Sequence, residues 1–139
     1  MAVEGIDNVI RNINRQIGKM KEVSVKGVED VGLDLLGKAV RDAPVDTGDL
    51  RGSGTAAFGD NVIAEGDEDG NIDIVGTASR KAKPEVTVGF GVPYAHRQHE
   101  DLEYHHPRGG KAKYLEDPLK QNAKQYVRHI AEKVREVNK

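Results

Sequence analysis

The chain has 139 residues, a formal net charge of −2 and no cysteine, and only 4% of it is aromatic. That length fits one domain with a modest core. The missing thiols exclude disulfides and thiolate zinc sites, and the near-neutral charge does not mark a nucleic-acid binder. No run approaches the ~20 apolar residues that span a bilayer, and the N-terminus lacks a signal-peptide core, so a soluble, non-secreted protein is expected.

Val3, Ile6, Ile10, Ile13, Ile17 and Met20 recur at spacings of three and four, with polar residues between them. This is a heptad-like seam on an amphipathic helix. It would pack on its own domain or on a neighbouring subunit. Lys21 to Lys26 (KEVSVK) blurs the period, and a kink or break is expected there. A second helix follows with Val28, Val31, Leu35, Leu36, Ala39, Val40 and Ala43 on its buried side. Gly27, Gly32 and Gly37 weaken that helix and suggest close approach of another backbone. Pro44 ends it.

Ala43 to Ser53 (APVDTGDLRGS) reads as a helix-to-strand corner, with Asp46, Thr47 and Gly48 as turn chemistry and Leu50 as the apolar anchor. It lacks the GK[ST] of a P-loop. Short strands are expected over 53–58, 61–64 and 72–75. Asp67 to Asn71 (DEDGN) should be a tight turn, because Asp69-Gly70 is a strong hairpin signal. The glycine spacing and closing glutamate of a calcium loop are missing. Thr77 to Lys83 reads as a basic loop. Pro84 to Val92 alternates as a strand with Val86, Val88, Phe90 and Val92 on one face.

The stretch 94–113 gathers most of the histidines and is expected to be a polar interface loop. The last helix should begin near Tyr114 and bury Leu115, Leu119, Ala123, Val127, Ile130, Val134 and Val137. The order predicts an α+β fold: N-terminal amphipathic helices over 1–43, a small antiparallel sheet over 44–93, the loop, and a C-terminal helix over 114–139 packed on the sheet. Acidic residues dominate from Asp46 to Asp73 and basic ones from His105 to Lys139. These are either two solvated faces or complementary edges that meet head to tail.

Catalytic chemistry has weak support. His96 and His99 are three apart, Glu100 follows the second, and His105 and His106 are adjacent, so the HExxH arrangement of a zinc enzyme is not reproduced. A metal site from His96, His99, Glu100 and His105 is the alternative to an interface loop, and a metal-dependent nuclease would be its function. There is no cysteine nucleophile and no nucleophile elbow.

Three pieces together resemble a known family. Pro44, Val45, Asp46, Thr47, Gly48, Leu50, Arg51 and Ser53 match the P-V-D-T-G-x-L-R-x-S signature of small tail-component proteins of long-tailed bacteriophages and prophages. These are variously called tail-completion, head–tail joining, neck or minor capsid proteins. Val88 to Glu100 (VGFGVPYAHRQHE) is similar to that family's strand and turn, with Gly89, Tyr94, Ala95 and Glu100 at matching positions. Lys113 to Leu119 (KYLEDPL) resembles its entry into the C-terminal helix through Tyr114, Leu115, Pro118 and Leu119. The segment from Asp101 to Lys113 departs from the pattern, being longer and histidine-rich.

The resemblance implies a structural virion protein at the head–tail junction, assembled in the host cytoplasm, with no reaction and no cofactor. Its implied partners are its own copies in a hexameric or dodecameric ring, other neck proteins such as head-closure or adaptor subunits, and the tail terminator or tail tube, with passive contact to DNA in the lumen and none to membrane. A tail terminator ring is the sibling alternative. The candidate subunit-interface residues are Asp46, Asp49 and Arg51, which would hold the corner and contact a neighbour. In the loop they are Tyr94, His96, Arg97, His99, Glu100, Tyr104, His105, His106 and Arg108.

Overall fold

One unbroken helix, α1, runs from Ala2 to Asp42, about 60 Å at 1.5 Å per residue. The computed structural model describes residues 2–44, 49–91 and 113–137. The expected break at Lys21–Lys26 is absent, and two expected helices are one. The period blurs there because the apolar face turns. Val25 follows Ile17 by eight positions, which places it about 80° further round the helix. Val25 is buried, whereas Ile17 is exposed. The Ser24 hydroxyl donates to the Met20 carbonyl at 2.7 Å, a bond made within the helix rather than against it.

From Val25 onward α1 lies on a four-stranded antiparallel sheet. A short helix, α2 (Asp49–Gly52), leads into β1 (Gly54–Phe58), β2 (Asn61–Gly66), β3 (Ile72–Ile74) and β4 (Thr87–Phe90), in the order β3-β2-β1-β4. β1 pairs with β4 from Gly54↔Phe90 to Ala57↔Thr87, and with β2 through a register shift between Ala56 and Ala57. The buried face of β1 is Gly54, Ala56 and Phe58. These meet Leu36, Val40, Ile63 and Ala64 in the main core, and Val86, Val88 and Phe90 close its side. Strand β4 is shorter than the alternating run that suggested it.

The β2–β3 turn forms as its composition dictates. Gly70 takes φ 92°, and one Asp67 carboxylate oxygen accepts from the backbone N–H groups of Asp69 and Asn71, both at 2.9 Å. Of Gly27, Gly32 and Gly37 on α1, two meet close neighbours. A Cβ on Gly32 would lie 2.7 Å from Val86, and one on Gly27 3.4 Å from Ile130, whereas Gly37 has nothing within 4 Å.

The C-terminal helix, α3 (Glu116–Val137), lies along α1 rather than on the sheet. The apolar face expected from the sequence is turned in only in part: Leu115, Ile130, Val134 and Val137 are half-buried, whereas Leu119, Ala123 and Val127 are exposed. The buried residues of the helix are Pro118 and Tyr126. α3 turns a polar-tipped side toward α1, where Asn122 accepts from Lys38 and Tyr126 and His129 meet the carboxylates of Asp34 and Asp30. Among the described residues no helix is long and apolar enough to cross a membrane. Among the described residues, nothing buries most of the heptad seam: Ile6, Ile10, Ile13 and Ile17, with Val9 beside them, are each 44–59% exposed, and Met20 is half-buried.

Candidate functional site

The three motif stretches, far apart in sequence, converge on one small cluster. Ala43 and Leu50 come from the corner, Phe90 from the last strand, and Tyr114 and Leu115 from the entry to α3. Tyr114 is 1% exposed, and its ring meets Phe90 edge-on with centroids 5.0 Å apart, an arrangement the ring quadrupoles favour. Lys113, at φ 59°, occupies the left-handed region as it delivers Tyr114 into the cluster. Beyond it Glu116 accepts from Lys120 at 2.8 Å and Lys113 at 3.1 Å. These two ammonium groups hold its pKa down to about 2.

Arg51 organises the corner. Its Nε donates to the Ala43 carbonyl at 3.0 Å and its terminal nitrogen to the Arg41 carbonyl at 2.8 Å. A cation thereby satisfies two carbonyls at the C-terminus of α1, where the helix dipole favours positive charge. Burial lowers the guanidinium pKa, and Asp42, Asp67 and Asp69 oppose that shift. Ser53 closes the turn, its hydroxyl donating to the Leu50 carbonyl at 2.8 Å. The signature positions Leu50, Arg51 and Ser53 therefore all act on the fold of the corner.

Of the other candidate interface residues, Asp49 opens α2. Asp46, Tyr94, His96, Arg97, His99, Glu100, Tyr104, His105, His106 and Arg108 lie outside the described residues. Among the described residues no three His, Asp or Glu side chains gather as metal ligands would.

Sequence reasoning missed the polar junction between α1 and α3. Asp34 accepts from the Tyr126 hydroxyl at 2.6 Å and from Lys38 at 2.7 Å. Asp30 faces His129 at 2.9 Å and Lys26 at 3.1 Å. A groove of about 300 Å³ lies between them, lined by Asp30, Val31, Asp34, Gln125, Tyr126 and His129. The available signal was spacing: Asp30 and Asp34 are four apart, and Tyr126 and His129 three apart, so each pair shares a helix face.

Burial pulls both carboxyl groups upward. Hydrogen bonds from His129 and Lys26 on Asp30, and from Lys38 and Tyr126 on Asp34, outweigh it, and both end below the usual carboxylate range. The Tyr126 hydroxyl is raised by burial and then by Asp34, so it stays a donor at neutral pH. Depressed carboxyl values stabilise the folded state above the unfolded-state pKa of about 4, and that stability is lost as pH falls through the depressed values. The denaturant midpoint should therefore drop between about pH 5 and about pH 2. In the Asp30→Asn/Asp34→Asn variant the drop should be smaller, and an equally steep fall in both proteins would contradict this account.

Comparison with known proteins finds no family model, no curated protein and no solved structure that matches this chain.

Proposed function

We propose that this protein is a structural subunit of the head–tail junction of a long-tailed phage or prophage, a neck or tail-completion component that works as a ring of copies. The observation that carries the reading is the convergence of the three motif stretches on Ala43, Leu50, Phe90 and Tyr114. Motifs that resemble one family in order and spacing also share one packing site, as pieces of a single fold would. The exposed apolar seam of α1 and the separation of acidic and basic segments along the chain add support, since both suit a subunit completed by neighbours.

The role is assembly, not catalysis. The corner ties the end of α1, the sheet and the entry to α3 together, and the partners are other copies, adjacent neck proteins and the tail. Deleting the gene from the phage that encodes it should give filled heads and tails that are not joined, or tails with a defective upper end, as seen by electron microscopy. Supplying the protein in trans should restore infectious particles. Normal particles without it would overturn the reading.

A further inference from the structure

We propose that the basic outer face of α3 docks on the acidic open face of the sheet in a second copy of this chain. This rests on the self-assembly part of the reading above and names the two surfaces that meet. The first is a stripe on α3. At about 100° of turn per residue, Lys120, Lys124, Val127, Arg128 and Arg135 fall within about 100° of one another around the helix. All five are exposed. Asp117 shares that bearing in the first turn but is half-buried, and Glu132 and Glu136 lie beyond the edge of the stripe. Glu116 holds Lys120 at 2.8 Å. Lys124, Arg128 and Arg135 take part in no salt bridge among the described residues.

The second surface is the side of the sheet turned away from α1. Gly54, Ala56 and Phe58 of β1 face α1, so Thr55 points the other way, and its cross-strand row continues through Glu65 to Asp73. Thr55 is half-buried, and Glu65 and Asp73 are exposed. None of the four strands contains Lys, Arg or His. Glu65 and Asp73 stand directly opposite each other, an arrangement of like charges that destabilises a sheet left to itself. Among the described residues neither takes part in a salt bridge. Cross-strand partners are about 5 Å apart at Cβ, and residues four apart on a helix, such as Lys124 and Arg128, about 6 Å. One pair of bases therefore matches one pair of acids when α3 lies across the strands.

Other occupants fit the basic stripe less well. On the exposed half of α1, Asp7 and Glu22 stand among Arg11, Arg15, Lys19 and Lys21, so that surface has no single sign. Asp30 and Asp34 already hold Lys26 and Lys38 of their own chain. Two α3 stripes facing each other would set base against base, which opposes association. A nucleic-acid backbone would satisfy the bases but offers nothing to Val127, which is 68% exposed beside them. On the sheet, by contrast, Val75 follows Asp73 by two residues and is 53% exposed. Because the two surfaces differ, the contact is heterologous and propagates from copy to copy, closing into a ring where the rotation allows.

The chain has no cysteine, so single cysteines report on this contact cleanly. Val127→Cys and Val75→Cys change exposed side chains and should fold as the parent does. The two purified variants are mixed and treated with a short bismaleimide. The mixture should give a cross-linked pair containing one of each variant, several-fold above the product from either alone, and the yield should fall as salt is raised because the charges are screened. Adding Lys124→Glu and Arg128→Glu to the Val127→Cys chain should abolish the pair. Adding Glu65→Lys and Asp73→Lys to the Val75→Cys chain as well should restore it. A pair that ignores these reversals, a main product linking Val127→Cys to itself, or no product between copies would overturn the proposal. So would retention of the unlinked parent on a DNA duplex that Lys124→Glu/Arg128→Glu removes, which would assign the stripe to phosphates. The deletion experiment reads joined particles instead. Unjoined heads with no cross-link would therefore remove this interface and leave the neck role standing.

Discussion

Leu36→Ala should lower the unfolding free energy by about 2–5 kcal/mol, the range for a leucine truncated in a packed core. Leu36 is fully buried in the main core, where α1 crosses the sheet among Val25, Val40, Ala56, Ile63 and Ala64. Its neighbours lie on two rigid elements, a long helix and a paired ladder, so the site cannot collapse freely and the cavity term should be near its full value. A domain with a modest core has a total stability of only about 5–15 kcal/mol. The loss should appear as a melting temperature lower by roughly 10 °C, followed by far-ultraviolet circular dichroism. A change below about 1 kcal/mol would mean that Leu36 does not sit between helix and sheet as described.

Gly66→Ala should be the other severe change, and for a different reason. A Cβ at Gly66 would lie 2.2 Å from the Arg51 carbonyl oxygen and 2.8 Å from a Val40 methyl. The nearest atom is backbone, so no side-chain rotation relieves the overlap. Either β2 moves away from α2, breaking its pairing of Gly66 with Ile72, or α2 moves and takes Arg51 off the carbonyls of Arg41 and Ala43. Overpacking of this kind costs about 1–3 kcal/mol and occasionally more, and the backbone clash places Gly66→Ala at or above the top of that range. The control is Gly37→Ala, on the same sheet-packed half of α1, where no atom lies within 4 Å of the new methyl. It should be neutral or stabilising by helix propensity. Equal midpoints for the two variants in denaturant would contradict the close approach of β2 to α2.

The α+β class was legible because periodicity reports it directly: helical spacing before Pro44, the Asp69-Gly70 turn between short strands, and helical spacing again after Pro118. Two details were not legible, and both concern which face of a helix is used. The KEVSVK stretch looked like a break because a hydropathy pattern cannot distinguish an interruption from a rotation of the apolar face, and Val25 begins a new face rather than a new helix. On α3 the spacing suggested one apolar buried side, yet only part of it packs, Ile130 against Gly27, while Leu119 and Val127 are exposed and the helix docks through Tyr126 and His129. That choice is made by Asp30 and Asp34 on the partner helix, which a one-helix pattern does not contain.

At the corner, the sequence reading has Arg51 both holding the turn and contacting a neighbour, and the first of these roles is what its hydrogen bonds show. Its hydrogen bonds to the Arg41 and Ala43 carbonyls require knowing where α1 ends relative to α2.

The unbroken course of α1 has a mechanical consequence. The half of the helix that crosses the sheet and the half that carries the isoleucine stripe form one hydrogen-bonded rod, so no hinge lets the tip move independently. About 20 residues of projecting helix make an arm of roughly 30 Å. A tilt of about 10° at the sheet therefore swings its end by about 5 Å, close to one helical turn. Substitutions deep between α1 and the strands, at Gly32 or Val86, thus act as adjustments to the pitch of a lever, moving the exposed tip without touching it.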